Sequence, residues 1–272
     1  MPVAERRPFA KRSLGQNFLR DENIARKIVA ALALSPGDTV LEIGPGHGAL
    51  TRWLDEWVQT VPSGRVLALE KDEDLARGIE RDFPGVEVVV ADALHFPWES
   101  LPGAGNLKYV GNLPYNIASP LIWEIVSRSP RYAQAVFMVQ HEVGLRLSAL
   151  AGSGEYGALS VWVQSFAQVR YLFRVPPQVF RPRPKVDSAV MLFEPLNPEQ
   201  APAEPELLAR LLHMCFQKRR KQLRNILRPW WSERVEQLLE SHGRQPTARP
   251  EELTPLEFQS LARIVLGEAI HG

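Results

Sequence analysis

Five short apolar runs divide the first half of this 272-residue chain: DTVLEIG (38–44), GRVLALE (64–70), VEVVVAD (86–92), LKYVGN (107–112) and AQAVFMVQ (133–140). Each has the length of a strand and little polar alternation, so both of its faces need cover. Helical patterns or loops separate the first four. Asp21 is suited to cap a helix over 23–34 that sets Ile24, Ile28 and Ala31/Leu32 on one face. ALTRWLDEWV (49–58) and DEDLARGIE (72–80) read as crossover helices. Apolar strands alternating with helices predict a mainly parallel, doubly wound α/β sheet, which binds ligands beyond the carboxyl ends of its strands.

The rhythm changes after residue 140. EVGLRLSAL (142–150) and ALSVWVQSF (158–166) read as helices. AQVRYLFRV (167–175) and VDSAVMLFE (186–194) read as an antiparallel pair joined by the stiff, Pro-rich VPPQVFRPRPK (175–185). The Pro, Glu and Ala of EPLNPEQAPAEPE (194–206) mark a linker, and the rest reads as an all-helical tail. The expected domains are 1–195 and 205–272, with a linker at about 196–204.

Composition narrows the function classes. With 45% hydrophobic and 23% charged residues the chain is globular. A single cysteine, Cys215, excludes an internal disulfide and a cysteine-cluster zinc site. No run is apolar enough to span a bilayer, and the basic N-terminus lacks the apolar core of a secretory signal, so a cytoplasmic location and no membrane partner are expected. Net charge is only +1, but it is unevenly spread. Residues 1–20 carry five Lys/Arg and one acid, residues 170–185 five and none, and residues 21–169 eleven against eighteen. QKRRKQLRNILR (217–228) holds six cations and no acid. Any one patch is ordinary; three together point toward a polyanion such as nucleic acid.

Four successive strand ends carry the chemistry. EIGPGHGAL (42–50) places Gly44, Gly46 and Gly48 at a strand–helix junction, where the backbone can press against a ligand. Gly44-x-Gly46-x-x-Ala49 also fits a dinucleotide fingerprint, so a nicotinamide or flavin cofactor stays open on this turn alone. Glu70 ends the second strand, where a carboxylate can accept ribose hydroxyls. Asp92 ends the third, placed for an adenine amine. NLPYNIASP (112–120) ends the fourth. There the Asn112 side-chain carbonyl and the Leu113 backbone carbonyl, next to Pro114, offer two acceptors for an amine. The Tyr115 ring offers a face for an extruded base. Acceptors arranged for a tetrahedral nitrogen help to free a delocalised lone pair and stabilise the positive charge of attack on a methyl sulfonium, with no metal required.

NLPY resembles the [DNS]-P-P-[YFW] signature of amino-group methyltransferases. LGQNFL (14–19), VLEIGPGHGALT (40–51), ALEKDEDL (68–75), NLPYNIASP (112–120), MVQHEVGLRL (138–147), YGALSV (156–161) and VPPQVFRPRPKVDSAV (175–190) together resemble the ribosomal RNA small-subunit adenine dimethyltransferases, KsgA-type, in order and over nearly the whole chain. The resemblance implies a Rossmann-like class I methyltransferase domain with a seven-stranded sheet and a small all-α C-terminal domain. It implies S-adenosyl-L-methionine as cofactor. It also implies dimethylation of two adjacent adenines near the 3′ end of small-subunit rRNA, coupled to subunit biogenesis, by a monomer acting on an immature 30S-like particle.

Residue by residue, it puts Asn17 and Leu19 at the methionine end of the cofactor with Gln16 nearby, Gly44 and Gly46 against its backbone, Glu70 on the ribose, Asp92 on the adenine, and Asn112 between cofactor and target. RNA contacts fall on Phe180, Arg181, Arg183, Lys185, Lys218, Arg219, Arg220, Lys221 and Arg224. Phe180 is either the second face of a base sandwich with Tyr115 or an anchor for its loop. His141 stands where the family commonly has Lys. Trp230 and Trp231 read as core or interface of the tail, and an assembly-factor role on the small subunit is compatible with the enzymatic one.

Overall fold

The computed structural model describes residues 16–101, 105–129, 131–217 and 221–267. Two compact units emerge from the packing: residues up to Gly144 with Arg170–Pro195, and Leu145–Val169 with Leu196–Gly272.

The first unit is built on a seven-stranded sheet. Its strands are β2 (Thr39–Ile43), β3 (Arg65–Glu70), β4 (Val86–Val90), β5 (Leu107–Asn112), β6 (Tyr132–Gln140), β7 (Ala167–Val175) and β9 (Ser188–Pro195), in the order β4-β3-β2-β5-β6-β9-β7. β4, β3, β2, β5 and β6 run parallel, and β9 is antiparallel to β6. All five expected strands form. β2 and β5 are buried along most of their length, as strands covered on both faces must be, whereas the edge strand β4 shows exposed positions. A separate two-stranded sheet joins β1 (Phe18–Leu19) to β8 (Phe180–Arg181), antiparallel, with Leu19 opposite Phe180. Strands of two residues carry no periodicity, and the sequence gives no sign of them.

Helices α1 (Glu22–Ala30), α2 (Thr51–Thr60), α3 (Glu73–Asp82) and α4 (Ala118–Arg128) are the crossovers. Asp21 caps α1 as expected, its Oδ1 accepting from the Ile24 amide at 3.0 Å. Ala25, Ile28 and Val29 turn into a core shared with Val40, Val66, Val110 and Val190. The helix stops at Ala30 rather than running to residue 34, and Ala33 adopts a left-handed φ of 45°. The reason lies in β5: the Lys108 ammonium donates to Leu32 O and Ala33 O, both at 2.8 Å, and pairs with Asp38 Oδ2 at 2.8 Å. A buried cation collects carbonyls that a continuing helix would have used itself.

The second unit contains α6 (Ala158–Gln164), α7 (Pro205–Phe216), α8 (Leu223–Ile226), α9 (Glu233–Ser241) and α10 (Pro255–Ala262); α5 (His141–Leu147) crosses the division between units. The packing groups Leu145–Val169 with the tail, whereas the expected first domain runs unbroken over 1–195. α6 lies against α7 and α10, and the Tyr156 hydroxyl donates to Leu253 O at 2.9 Å. The basic run at 217–228 is not one helix: α7 ends at Phe216, Gln222 is extended, and α8 is a single turn whose Leu223 amide donates to Ala248 O.

Lys108 sits at the end of β5 away from Asn112, so stability and chemistry separate there. Removing one member of a buried ion pair leaves an uncompensated charge, at a cost of about 3–5 kcal/mol. Lys108→Met is expected to lower unfolding free energy by about that much in denaturant melts, while the chain that remains folded keeps its turnover number.

Candidate functional site

The carboxyl ends of β2, β3, β4 and β5 open into one cleft. It is lined by Gln16, Asn17 and Leu19 from the N-terminal segment, by Gly44 and Gly46, by Glu70 and Asp92, and by Asn112, Leu113, Pro114 and Tyr115. Every cofactor and catalytic position expected from the sequence therefore borders the same space.

The glycine turn needs its glycines. Gly44, Gly46 and Gly48 have φ of 67°, 59° and 81°, in the left-handed region that side chains resist. A Cβ on Gly44 would meet no protein atom within 4 Å, so its backbone faces open space, whereas one on Gly48 would strike the Phe83 ring at 2.4 Å. The turn is fixed from below, with Gly46 N donating to Glu70 Oε2 at 3.2 Å and Gly44 N to Leu69 O at 2.9 Å. Close approach recurs before Asn112, where a Cβ on Gly111 would come 2.6 Å from Ile43 O.

Glu70 also accepts from the Lys71 and Asp72 amides through Oε1, each at 2.9 Å. Burial nevertheless raises its pKa above the ordinary carboxylate value. Three amides use three of a carboxylate's four acceptor positions, and the remaining one is on Oε2. Asp92 is drawn the other way. Its Oδ2 pairs with Lys71 Nζ at 2.8 Å, which holds its pKa low, while Oδ1 accepts from Leu94 N and caps the turn that follows.

Asn112 Nδ2 donates to Asn17 O at 2.8 Å. A carbonyl accepts only from a donor, so this contact sets the amide's orientation and leaves Oδ1 as its acceptor end. Leu113 is buried and its amide donates to Met138 O at 3.1 Å. The half-buried Tyr115 bonds through its hydroxyl to the fully buried Ser188 Oγ at 2.6 Å, which anchors the tip of the side chain. Arg174 holds the neighbouring Asp187 in an ion pair.

Several cleft residues escape sequence reasoning: Phe18, whose ring packs on His47 with centroids 3.9 Å apart, Lys71, and above all Glu42. Glu42 is 1% exposed and its Oε2 has no hydrogen-bond partner. An acid inside the apolar run 38–44 was the available signal. Burial, with a smaller push from Glu70, raises its pKa to about 8 against the pull of Thr51.

The RNA set divides. Phe180 is 4% exposed, belongs to the core and does not border the cleft, so the base-sandwich role is corrected to that of a loop anchor. Its pairing with Leu19 is the cause. Arg181, Arg183 and Lys185 are exposed. Two other cations of the 170–185 patch are neutralised by acids outside it, Arg170 by Glu194 and Arg174 by Asp187. Lys221 and Arg224 are exposed in the second unit, and Lys218, Arg219 and Arg220 lie outside the described residues, as does the basic arm before residue 16. Among the described residues no group of three His, Cys, Asp or Glu could hold a metal, and no helix is long and apolar enough to cross a membrane.

A model of the ribosomal RNA adenine dimethylase family matches residues 9–265. The chain belongs to this family. Ribosomal RNA small subunit methyltransferase A of Maridesulfovibrio salexigens is 51% identical over 256 residues, covering 94% of this chain and 95% of that one. The protein of the same name from Nitratidesulfovibrio vulgaris is 50% identical over 267 residues, 97% of each chain. Among solved structures, a dimethyladenosine transferase from Plasmodium falciparum superposes with a TM-score of 0.74 at 25% identity over 93% of this chain and 98% of that one. The 23S rRNA methyltransferase ErmE superposes with 0.69 at 28% identity over 92% and 99%. Family membership removes the dinucleotide alternative that the glycine spacing had left open.

Folding lifts the Glu42 pKa from 4.5 to about 8. Within that window the folded chain holds a proton that the unfolded chain has lost, so stability falls as pH rises through it. Glu42→Gln is neutral throughout. Its melting temperature is expected to exceed the wild type's most at the alkaline end of the window and least at the acid end, measured by thermal melts across a pH series.

Proposed function

We propose that this chain transfers methyl groups from S-adenosylmethionine to the exocyclic amines of two adjacent adenines near the 3′ end of small-subunit rRNA, acting as a cytoplasmic monomer on an immature subunit. The observation that carries the chemistry is the Asn112–Asn17 contact, which gives Asn112 a defined acceptor end at the strand terminus where the cleft opens. The small-subunit reading is supported by relatives of that name at about half identity, against 28% for the large-subunit enzyme.

The residues present fit the cofactor. The Gly44 backbone faces open space, Glu70 Oε2 keeps capacity for a hydroxyl, and Asp92 stands two residues past β4 for an amine. Asn17 and Leu19 would hold the methionine end, Glu70 the ribose and Asp92 the adenine. When bound, the cofactor supplies an electrophilic methyl group on a sulfonium. The protein's part is to make the adenine nitrogen a nucleophile. Asn112 Oδ1 and Leu113 O accept its two N–H bonds, which favours tetrahedral nitrogen and stabilises the positive charge that develops as the bond to carbon forms. Pro114 has no N–H to compete for the Leu113 carbonyl. The Tyr115 ring, anchored at its hydroxyl by Ser188, stacks on the base. As the bond to carbon forms, the methyl–sulfur bond would break and the spent cofactor would leave as a neutral thioether. The nitrogen sheds one proton to water, and the monomethylated amine, with a single N–H left for one of the two acceptors, would need a second cofactor.

Losing one preorganised polar contact in a transition state costs about 10²–10³ in turnover. Asn112→Ala is expected to lose labelled methyl transfer to small subunits by about that factor, while cofactor affinity, read by calorimetry, falls much less. Wild-type transfer by this variant would refute the assigned role. Tyr115→Phe keeps the ring but drops the Ser188 bond, and is expected to raise KM for the subunit more than it lowers kcat.

A further inference from the structure

The cleft chemistry makes no use of the paired tryptophans of the second unit, and neither lies in its core. Trp230, 40% exposed, is the one aromatic ring among the exposed large apolar side chains of the described residues. It closes the short turn Arg228–Trp230, whose Trp230 amide donates at 2.8 Å to the carbonyl of the fully buried Leu227. The turn is thus rooted in the core while its ring faces solvent. Trp231 is held differently. Its Nε1 donates to Glu236 Oε1 at 2.7 Å, and the Arg224 guanidinium lies over its ring, 5.9 Å from the centroid.

Arg228 shares the turn with Trp230 and Arg224 lies over Trp231; both are exposed, and neither forms an ion pair with a carboxylate among the described residues. The nearest acids in sequence are otherwise engaged, Glu236 by Trp231 and Glu233 by Gln237. A held, solvent-facing ring among unpaired cations has two unmet needs: a flat apolar partner and negative charge. A single-stranded nucleic acid meets both, since a base covers the ring and its phosphates reach the cations. A duplex does not, because its bases already have both faces covered.

We propose that Trp230 is a stacking platform for an unpaired RNA base, with Arg224 and Arg228 on the flanking phosphates. The inference rests on the reading of this chain as an RNA methyltransferase and adds to it a nucleotide that is bound but not modified.

The test titrates wild type, Trp230→Ala, Trp230→Phe and Arg228→Gln with single-stranded oligoadenylate, oligouridylate and an RNA duplex long enough that its two ends are few among its sites, over a salt series. Trp230→Ala is expected to bind both single strands about tenfold more weakly, with Trp230→Phe recovering most of the loss and duplex affinity unmoved. Its slope of log affinity against log salt stays that of wild type, whereas Arg228→Gln lowers the slope by about 0.7 for one lost single-strand phosphate. Wild-type affinity for single strands in Trp230→Ala overturns the proposal, as does an equal loss on the duplex. So does a loss seen only with intact small subunits and absent with their stripped RNA, which would assign the ring to a ribosomal protein. Methyl transfer by the wild-type chain to unmethylated subunits, measured alongside, separates the two readings. Its absence refutes the methyltransferase, and its presence with an insensitive Trp230→Ala refutes only the platform.

Discussion

The hydrogen bond from Asn112 Nδ2 to Asn17 O joins groups 95 residues apart, and the proposed chemistry depends on it. An amide has a donor end and an acceptor end; unpinned, it can present either to a substrate. The Asn17 carbonyl removes that choice. Asn17 in turn precedes β1, and β1 exists only because β8 pairs with it. Arg20 N adds a bond to Val179 O at 2.8 Å just beyond. The polarity of one side chain in the cleft is therefore set by a two-stranded sheet that the main sheet does not include.

The main sheet was legible for a simple reason. Parallel strands buried on both faces are written as apolar runs, and the first polar residue after each run marks its carboxyl end. Glu70, Asp92 and Asn112 stood out against Val, Leu and Ala, and the structure brings them to one cleft. What stayed hidden depends on partners distant in sequence. Phe180 looks like any loop aromatic until its pairing with Leu19 buries it. The 170–185 patch loses two of its charges to Glu194 and Asp187, which a window count places outside it. Residues 145–169 read as helices but gave no sign of packing with the tail, because Tyr156 and its acceptor at Leu253 are nearly a hundred positions apart. Tertiary contacts also shortened α1, where propensity alone favours four more residues, because Lys108 takes the carbonyls.

Two acids lie together at the floor of the cleft. Glu70 braces the glycine turn through Gly46, and Glu42 lies beneath with an oxygen that bonds to nothing. Both resist ionisation because water is excluded. A fold selected for stability alone has little reason to bury an unsatisfied carboxyl in a central strand. The arrangement tolerates that cost where the backbone must remain bare and the turn must hold positive φ at three positions. Strain and desolvation gather at the same strand end, as they do where a structure is shaped around something it binds.

The β1–β8 pairing also has a consequence for synthesis. Strands β2 to β5 can assemble as the first half of the polypeptide leaves the ribosome, since each finds a neighbour already made. The segment holding Gln16, Asn17 and Leu19 emerges before all of them and must wait for Phe180 and Arg181, more than half the chain later, before it can be fastened down. Contacts of such separation close last. A nascent chain halted short of that point has the glycine turn and the acids but lacks the strap that orients Asn112, so the proposed acceptor end of that amide is set only once translation has passed the Pro-rich loop.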